Sequence, residues 1–329
     1  QVIANAVAEQ GFPAGTFSLL FDAGHEVGAA LVRHPKVCAV GFTGSFRGGR
    51  ALMDIAATRT TPIPVYAEMG SVNPVFILPN ALRERGEALA AGLHGSFTLG
   101  GGQFCTKPGL VFAAQTESAA FTERLRTLTG ETPAFSLLTG GIASIYGQKL
   151  AERRDRLIAS GKQTSVGYAA QAALHEVGGE QFLANPELSE EVFGPATLLV
   201  QCTGTEQMLA AAHRLEGHLT ATILGTEEDL SQNAELLRVL ETKAGRLIFN
   251  GFPTGVEVCH AQVHGGPYPA TSDGRSTSVG SQAIFRFTRP VAYQGLPEPA
   301  LPSELQSANP EGILRLWNGA WTRNADAHS

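Results

Sequence analysis

Helical and strand-like segments alternate, with short loops between them, over the first 70 residues, and this alternation restricts the fold more than any other feature. Apolar runs that predict strands occupy residues 16–21, 37–42 and 62–68. Helical periodicity at residues 1–10 and 46–58 flanks these runs, and Ser45 stands where it would cap the second helix. Alternation of this kind predicts an α/β fold, in which a parallel sheet carries helices on both faces.

The α/β pattern continues from Asn73 to about residue 250. Further strands are predicted at residues 74–78, 109–112, 196–201, 221–224 and 246–250. Further helices are predicted at residues 81–98, 116–128, 141–160 and 205–215. Glycine, proline and serine are frequent after residue 260, where the alternating segment Phe285–Tyr293 predicts an extended edge strand and residues 296–310 a wrapping tail.

Composition and charge exclude several kinds of partner. A length of 329 residues predicts about two domains, and the net charge of −6 leaves no basic surplus for binding nucleic acid. No apolar run reaches the roughly 18 residues of a membrane-spanning helix. The segment that starts at Gln1 has no charged region of a signal peptide and resembles the interior of a helix. We therefore expect a chain that begins partway through a longer protein and has no membrane partner.

The four cysteines lie far apart in the sequence, at positions Cys38, Cys105, Cys202 and Cys259. No two of them form a C-x-x-C pair, which argues against a zinc site or a disulfide scaffold. Such spacing is typical of a reducing compartment, and we expect a cytoplasmic protein.

Cys105 is the strongest candidate for chemistry because a glycine-rich turn, Gly100-Gly101-Gly102, leads through Gln103 and Phe104 to it. Glycines let the backbone approach a ligand closely, and the Cys105 amide could donate to an oxyanion. A thiolate is a strong nucleophile when its surroundings favour the charged form. The alternative is a buried structural cysteine, which is the interpretation we give to the other three.

Glu68 is a second candidate, because it ends the predicted strand at 62–68. The carboxyl ends of parallel strands meet at the crevice where α/β sheets bind ligands, so a partly desolvated Glu68 could act as a general base. From its position alone, however, a solvated carboxylate at a strand end is the preferred interpretation.

Two further segments carry weaker signals. Thr43-Gly44-Ser45 opens a predicted helix, where free amides could bind phosphate, but ordinary capping explains it equally well and no G-x-G-x-x-G motif is present. The segment Glu190–Pro195 combines a carboxylate, an aromatic ring and a Gly-Pro turn that could hold a ribose and a flat heterocycle. Taken alone, it is better explained as a loop that enters the next strand.

Taken together and in order, these segments resemble the motifs of the aldehyde dehydrogenase superfamily. The motifs are Phe42-Thr43-Gly44-Ser45, Glu68-Met69-Gly70-Ser71-Val72-Asn73-Pro74, Gly102-Gln103-Phe104-Cys105 and Glu191-Val192-Phe193-Gly194-Pro195. Ser71-Val72, where most of the superfamily has Gly-Lys, and the segment His264–Thr271 are similar to one branch. That branch contains α-ketoglutaric semialdehyde (2,5-dioxovalerate) dehydrogenases and NADP-dependent fatty aldehyde dehydrogenases.

The resemblance implies a role for each matched residue. Cys105 would attack the aldehyde, its amide would form half of an oxyanion hole, and Glu68 would activate the water that hydrolyses the thioester. NADP or NAD would be the cofactor. The residues implied to bind it are Thr43, Gly44, Ser45, Met69, Gly70, Glu191 and Phe193, of which Glu191 would hold the nicotinamide ribose.

The resemblance also implies a domain organisation and an assembly. Residues 1–70 would be the C-terminal part of an incomplete Rossmann-type cofactor domain, 71–262 an α/β catalytic domain, and 263–329 a return segment with an oligomerisation strand and a tail. The intact protein would be a homodimer or homotetramer. An upstream oxyanion Asn and a cofactor-binding Lys have no counterpart after Gln1, so we expect the 329-residue chain alone to bind cofactor poorly and to have little or no activity.

Two other functions stay open at this point. In a CoA-acylating enzyme, CoA rather than water would take the acyl group, and Glu68 argues against this because a base there serves hydrolysis. A non-catalytic scaffold, kept for contacts through Phe285–Tyr293, is the other alternative, and the intact motifs argue against it. The identity of the aldehyde and the choice between NAD and NADP are not determined by these motifs.

Overall fold

The computed structural model describes residues 1–164 and 166–325. Its contacts divide the chain into two compact units, Gln1–Arg286 and a second unit that begins at Phe287. The predicted boundaries at residues 70 and 262 stay a prediction. None of the helices in the described residues has both the length and the hydropathy of a membrane-spanning segment.

The first unit contains all of the α-helices in the described residues. They are α1 (Val2–Glu9), α2 (Glu26–Arg33), α3 (Phe46–Ala57), α4 (Pro79–Thr98), α5 (Ala119–Glu131), α6 (Gly140–Glu152), α7 (Gly179–Ala184), α8 (Thr205–Arg214), α9 (Glu227–Gln232) and α10 (Ala234–Glu241). Its strands are β1 (Val40–Thr43), β2 (Val65–Glu68), β3 (Val75–Ile77), β4 (Leu110–Ala114), β5 (Phe135–Ser136), β6 (Leu157–Ser160), β7 (Ala169–Ala170), β8 (Ala173–Gly178), β9 (Ala196–Cys202), β10 (His218–Leu224) and β11 (Ala244–Phe249).

A seven-stranded sheet in the order β11-β10-β3-β4-β9-β8-β6 forms the centre of the first unit. Every neighbouring pair in it is parallel except β6 and β8. All residues of β3, β4 and β10 are buried, as expected for strands covered on both faces. Phe76 and Phe112 stack across the sheet with ring centroids 4.6 Å apart. The predicted α/β fold with a parallel sheet is confirmed.

A separate pair of parallel strands, β1 and β2, brings two predicted site segments side by side. Thr43 pairs with Glu68 at the carboxyl ends of the strands, and the Gly44 amide donates to the Glu68 carbonyl at 3.1 Å. Helix α3 then begins behind Ser45, whose Oγ accepts from the Gly48 amide as predicted for a cap. The short connection from β2 to β3 carries the chain from this pair to the central sheet.

The thiol segment follows α4 through a tight turn. Gly100, Gly101 and Gly102 all have φ between 57° and 67°, a left-handed conformation that glycine adopts most readily. A side chain at Gly102 would also place its Cβ 2.2 Å from the Gly194 carbonyl oxygen. The glycine turn therefore allows the thiol segment to pack directly on the 191–195 segment.

Three sequence predictions of secondary structure are wrong. Residues 16–21 form no strand, because no strand among the described residues pairs with them, and Phe21 is 84% exposed. Helix α6 ends at Glu152 rather than at residue 160, and residues 157–160 are β6 instead. The segment predicted as an edge strand, Phe285–Tyr293, instead contains the end of a 3-10 helix, Ser281–Phe287, and then irregular chain. Pro290 lacks the amide that a strand ladder requires.

The second unit contains two short strands, β12 (Arg315–Trp317) and β13 (Ala320–Thr322), which form an antiparallel hairpin. The Arg315 guanidinium lies 4.8 Å from the centre of the Trp317 ring and donates to the backbone carbonyls of Gln306 and Ser307. These contacts tie the proline-rich residues before the hairpin to the hairpin itself.

Candidate active site

Cys105 and Glu68, the two predicted catalytic residues, lie on either side of a histidine. The Nε2 of His264 is 3.3 Å from Cys105 Sγ and 3.2 Å from Glu68 Oε1. One ligand atom from each of the three residues falls within 4.8 Å of the others. The segments that supply them are distant in sequence, so the fold assembles this cluster.

Glu68 is held in a fixed orientation at the end of β2. The segment 270–272 runs beside this strand, with a bridge between Glu68 and Thr271. Ser278 Oγ donates to Glu68 Oε2 at 2.7 Å, and only 4% of Glu68 is exposed. Burial by itself raises the pKa of Glu68, but hydrogen bonds from His264 and Ser278 outweigh it and hold the pKa below the ordinary value. The carboxylate is therefore ionised at neutral pH.

His264 lies in a loop that closes over the two catalytic candidates. The backbone of His264 is fixed, because its amide donates to Thr277 Oγ1 at 2.9 Å and its carbonyl accepts from the Ser278 amide at 2.8 Å. A Cβ at Gly266 would lie 2.2 Å from the His218 carbonyl, so glycine lets this loop pack on β10. Hydrogen bonds to Cys105 and Glu68 raise the pKa of His264 to about 9. At neutral pH a cation therefore faces the thiol.

Asn73 fixes the backbone of the thiol segment from the β2–β3 connection. Its Nδ2 donates to the carbonyls of Cys105 at 2.9 Å and of Lys107 at 3.0 Å. Its Oδ1 accepts from the hydroxyls of Ser71 and Thr220 at 3.0 Å each. Asn73 is fully buried and has a φ of 46°. Through these four hydrogen bonds it joins the thiol segment to the β2–β3 connection and to β10.

Lys107 joins the thiol segment to the predicted ribose-binding segment. Its ammonium group is buried and donates to the carbonyls of Val192 and Ala196, both at 2.9 Å. Burial lowers the pKa of Lys107, and the charge of Glu191 opposes this shift. Burial likewise raises the pKa of Glu191, opposed by Lys107. Lys107 thereby fixes the backbone that follows Glu191 relative to the backbone that follows Cys105.

A cavity of about 410 Å³ is lined in part by three of the predicted cofactor-binding residues, Ser45, Gly70 and Glu191. The Glu191 carboxylate folds onto the connection after β2, where a Cβ at Gly70 would lie 2.6 Å from its Oε2. Gly70 therefore provides a cradle for this carboxylate. An acceptor beside a capped helix N-terminus suits a cofactor that has both hydroxyl and phosphate groups, so these residues fit a dinucleotide.

The other predicted cofactor residues lie outside the lining of this cavity. Thr43 and Gly44 are next to Glu68 through the β1–β2 pair. Met69 is buried, and its amide donates to the Ala270 carbonyl at 2.7 Å. Phe193 is half-buried in the segment that Lys107 holds. The structure thus groups Cys105 with Glu68 and Ser45 with Glu191.

Sequence reasoning assigned no role to His264, Ser278, Asn73 or Lys107. Each acts through contacts with residues distant in sequence, which no local pattern reveals. The sequence does place Asn73 and His264 in segments that carry the family resemblance, and His264 stands immediately before two glycines, but neither pattern indicates the contacts.

Comparison with known proteins identifies the family of the chain. The profile described as "Aldehyde dehydrogenase family" matches residues 1–289. The chain is 51% identical to alpha-ketoglutaric semialdehyde dehydrogenase 2 of Azospirillum brasilense over 97% of its own length and 62% of the relative's. It is 46% identical to alpha-ketoglutaric semialdehyde dehydrogenase of Acinetobacter baylyi over 98% and 62% of the two lengths. The chain thus spans 62% of the length of these curated relatives.

Solved structures show the same fold. Proline utilization A from Bdellovibrio bacteriovorus superposes with a TM-score of 0.76 at 22% identity, over 88% of this chain and 31% of that one. Gamma-glutamyl-gamma-aminobutyraldehyde dehydrogenase from Burkholderia cenocepacia gives a TM-score of 0.74 at 22% identity, over 87% and 57%. The resemblance that the motifs carry is confirmed: the chain belongs to the aldehyde dehydrogenase family.

Proposed function

We propose that the intact protein oxidises an aldehyde to a carboxylic acid with NAD or NADP, through a thioester on Cys105. The observation that carries the proposal is the placement of His264 Nε2 between Cys105 Sγ and Glu68 Oε1, at 3.3 Å and 3.2 Å. One cluster thereby holds a nucleophile, a cation and a base.

In the first half of the reaction, Cys105 attacks the aldehyde carbon as a thiolate. His264, whose pKa is raised to about 9, places a positive charge 3.3 Å from this sulfur. A carbon–sulfur bond forms, and the carbonyl oxygen takes up negative charge next to the Cys105 amide. Asn73 supports this step by holding the Cys105 carbonyl and so the orientation of that peptide.

A nicotinamide cofactor, when bound, supplies the hydride acceptor that turns this adduct into a thioester. Ser45 and Glu191 would hold it, since both line the same cavity and offer a helix N-terminus and a carboxylate. Lys107 keeps the Glu191 segment at a fixed distance from the thiol segment.

In the second half, Glu68 removes a proton from water as the water attacks the thioester carbon. The carboxylate is ionised at neutral pH. Ser278 holds Oε2, and Oε1, which lies 3.2 Å from His264 Nε2, is the oxygen on the side of Cys105 that would take the proton. The tetrahedral adduct then breaks its carbon–sulfur bond and releases the carboxylic acid. The sulfur returns to the thiolate beside His264.

For the substrate, we favour an aliphatic semialdehyde such as α-ketoglutaric semialdehyde. This compound is in the names of the relatives from Azospirillum brasilense and Acinetobacter baylyi. A distal carboxylate requires a cation near the thiol. Burial lowers the pKa of Arg246, and Cys105 opposes this shift, so the two groups are in electrostatic range. Among the described residues, Arg246 Nε is buried without a hydrogen-bond partner, which makes it our candidate for that carboxylate.

Assembly and location belong to the same proposal. We expect a homodimer or homotetramer, as the family resemblance implies. All four cysteines are free, which suits the reducing cytoplasm.

Trapping the thioester tests the proposal. In the intact protein, Glu68→Gln should give a burst of reduced cofactor of one equivalent per site, followed by slow turnover, with an acyl mass on the peptide that contains Cys105. Cys105→Ser should give neither. A Glu68→Gln variant that turns over at the normal rate, or an acyl group on another cysteine such as Cys202, would contradict the mechanism. Acceleration of Glu68→Gln by CoA but not by hydroxylamine would favour the acylating alternative instead.

A further inference from the structure

The cluster of Cys105, His264 and Glu68 has the donor set and spacing of a zinc site. It offers a sulfur, an imidazole nitrogen and a carboxylate oxygen, all within 4.8 Å of one another. Zinc in proteins binds these three ligand types, and in sites of the catalytic kind it keeps three protein ligands and one open position. The sequence argued against zinc only because no two cysteines are close in the chain.

Two of the three distances between ligand atoms are close to those of tetrahedral coordination, and the third, from Cys105 Sγ to a Glu68 carboxylate oxygen, is within 4.8 Å. Zn–S bonds of about 2.3 Å and Zn–N and Zn–O bonds of about 2.1 Å place ligand atoms about 3.6 Å apart for S and N and about 3.4 Å for N and O. In the structure, Cys105 Sγ and His264 Nε2 are 3.3 Å apart, and His264 Nε2 and Glu68 Oε1 are 3.2 Å apart. Side-chain shifts of a few tenths of an ångström would open this pair of distances to the required values.

Neighbouring groups already orient the ligands. Ser278 donates to Oε2 of Glu68 and leaves Oε1 directed at the cluster. Thr277 fixes the backbone of His264, and Asn73 fixes that of Cys105. Such outer contacts hold metal ligands in place and strengthen binding. Glu68 and His264 are buried, whereas Cys105 is half-exposed, so an ion could enter from the side of the sulfur.

We infer that this cluster binds a single Zn²⁺ ion reversibly through Cys105, His264 and Glu68, and that the bound ion inhibits the enzyme. The coordination follows from geometry alone, whereas the inhibition rests on the proposed function. Zinc holds the sulfur lone pair that would attack the aldehyde and the carboxylate that would activate water. One ion therefore blocks both halves of the reaction. Mg²⁺ and Ca²⁺ prefer oxygen ligands and do not bind here.

Cobalt spectroscopy tests the coordination without any assay of activity. Titration of the intact, cofactor-free protein with Co²⁺ should give the visible bands of four-coordinate cobalt and a near-ultraviolet sulfur-to-cobalt band, both saturating at one equivalent. Cys105→Ser should lose the sulfur band, and Glu68→Gln and His264→Gln should each weaken binding at least about tenfold. Cys38→Ser and Cys259→Ser, at exposed thiols, should keep the wild-type spectrum. An absent sulfur band, one that survives in Cys105→Ser, or one lost in Cys259→Ser would overturn the inference.

Inhibition is measured separately, with ZnCl₂ and the same intact protein. Aldehyde oxidation should fall as Zn²⁺ is added, recover when a chelator is added, and be unaffected by MgCl₂. Full activity at a Zn²⁺ concentration that saturates the site, as judged by displacement of Co²⁺, would overturn the inhibitory role. If the protein oxidises no aldehyde at all, the proposed function fails, while the cobalt spectra still decide whether the metal site exists.

Discussion

The side-chain amide of Asn73 donates to the backbone carbonyl of Cys105 at 2.9 Å, although 32 positions separate the two residues. The proposed nucleophile is therefore positioned by the connection between β2 and β3, the same connection that begins directly after Glu68. One short segment thus positions both the proposed general base and the backbone of the thiol segment. Its positive φ of 46° makes Asn73 suitable for this place, since asparagine tolerates the left-handed region better than most residues.

The first prediction concerns Asn73. Asn73→Gly keeps the backbone conformation but leaves the buried carbonyls of Cys105 and Lys107 unpaired, so it should lower the free energy of unfolding by about 2–3 kcal/mol. Asn73→Ala adds the strain of a positive φ and should lower it by about 1 kcal/mol more. Urea denaturation measures both. Asn318→Gly is the matched control, because Asn318 has φ of 47° and is exposed. It should change stability by less than about 0.5 kcal/mol, and an equal effect in both glycine variants would disprove the role of Asn73.

The second prediction concerns the reactivity of the thiol. His264→Gln removes the cation beside Cys105 Sγ, and the thiolate is the nucleophile, so alkylation of Cys105 by iodoacetamide at pH 7 should slow about tenfold. Peptide mass spectrometry follows the rate at Cys105 alone. His260→Gln, at an exposed histidine, should alkylate at the wild-type rate. Equal rates in His264→Gln and wild type would show that the imidazole does not activate the sulfur.

The third prediction is the pH dependence of stability. The pKa of His264 is raised to about 9 in the folded protein from the ordinary 6.5, so protonation favours folding. Its contribution is complete below about pH 6.5 and is lost as the pH rises through about 9. The pKa of Glu68 is lowered, so its own contribution is present above the ordinary value of 4.5 and is lost at lower pH. The free energy of unfolding of wild type minus that of His264→Gln should therefore be larger at pH 6 than at pH 10. A difference that grows with pH would reverse the assigned shift.

Much of this site could be predicted from sequence because the residues concerned occupy local patterns. The glycine turn before Cys105 and the strand that ends at Glu68 are both visible in the sequence, and the structure has both. The capping role of Ser45 is likewise local, since its partner Gly48 is three residues away. The carboxyl end of β2 is then joined to the thiol segment through the β2–β3 connection, where Asn73 donates to the Cys105 carbonyl.

The remainder depends on contacts that are not local. His264 reaches Glu68 across 196 positions, and Ser278 reaches it across 210. Neither pairing leaves a periodic signal, because both residues lie in irregular loops. The strand predicted at residues 16–21 is wrong for a related reason. Their apolar pattern suits a strand, but a strand requires a partner, and none of the described segments supplies one.

The fourth prediction concerns Lys107. Lys107→Met keeps the aliphatic bulk but leaves the carbonyls of Val192 and Ala196 unpaired and Glu191 without its nearby cation. The free energy of unfolding should fall by about 3 kcal/mol. Lys149→Met is the control, since Lys149 pairs with Glu152 and Glu190 at the surface and should change stability by at most about 1 kcal/mol. Comparable losses in the two variants, measured by urea denaturation, would mean that the buried ammonium does not hold this segment.

The fifth prediction concerns substrate choice. Arg246 already donates to the carbonyls of Gly255 and Pro253, at 3.1 Å and 2.7 Å, which leaves Nε for a ligand. A charge-assisted hydrogen bond contributes about 1.5–3 kcal/mol, so Arg246→Met should raise KM for α-ketoglutaric semialdehyde by about 10- to 150-fold. The KM for butanal, which has no carboxylate, should change far less, and Arg275→Met, at an exposed arginine, should alter neither. Steady-state kinetics of the intact protein with both aldehydes gives the ratio. If the two KM values rise together, Arg246 holds the loop at 253–255 rather than the substrate, because loosening that loop affects every aldehyde alike.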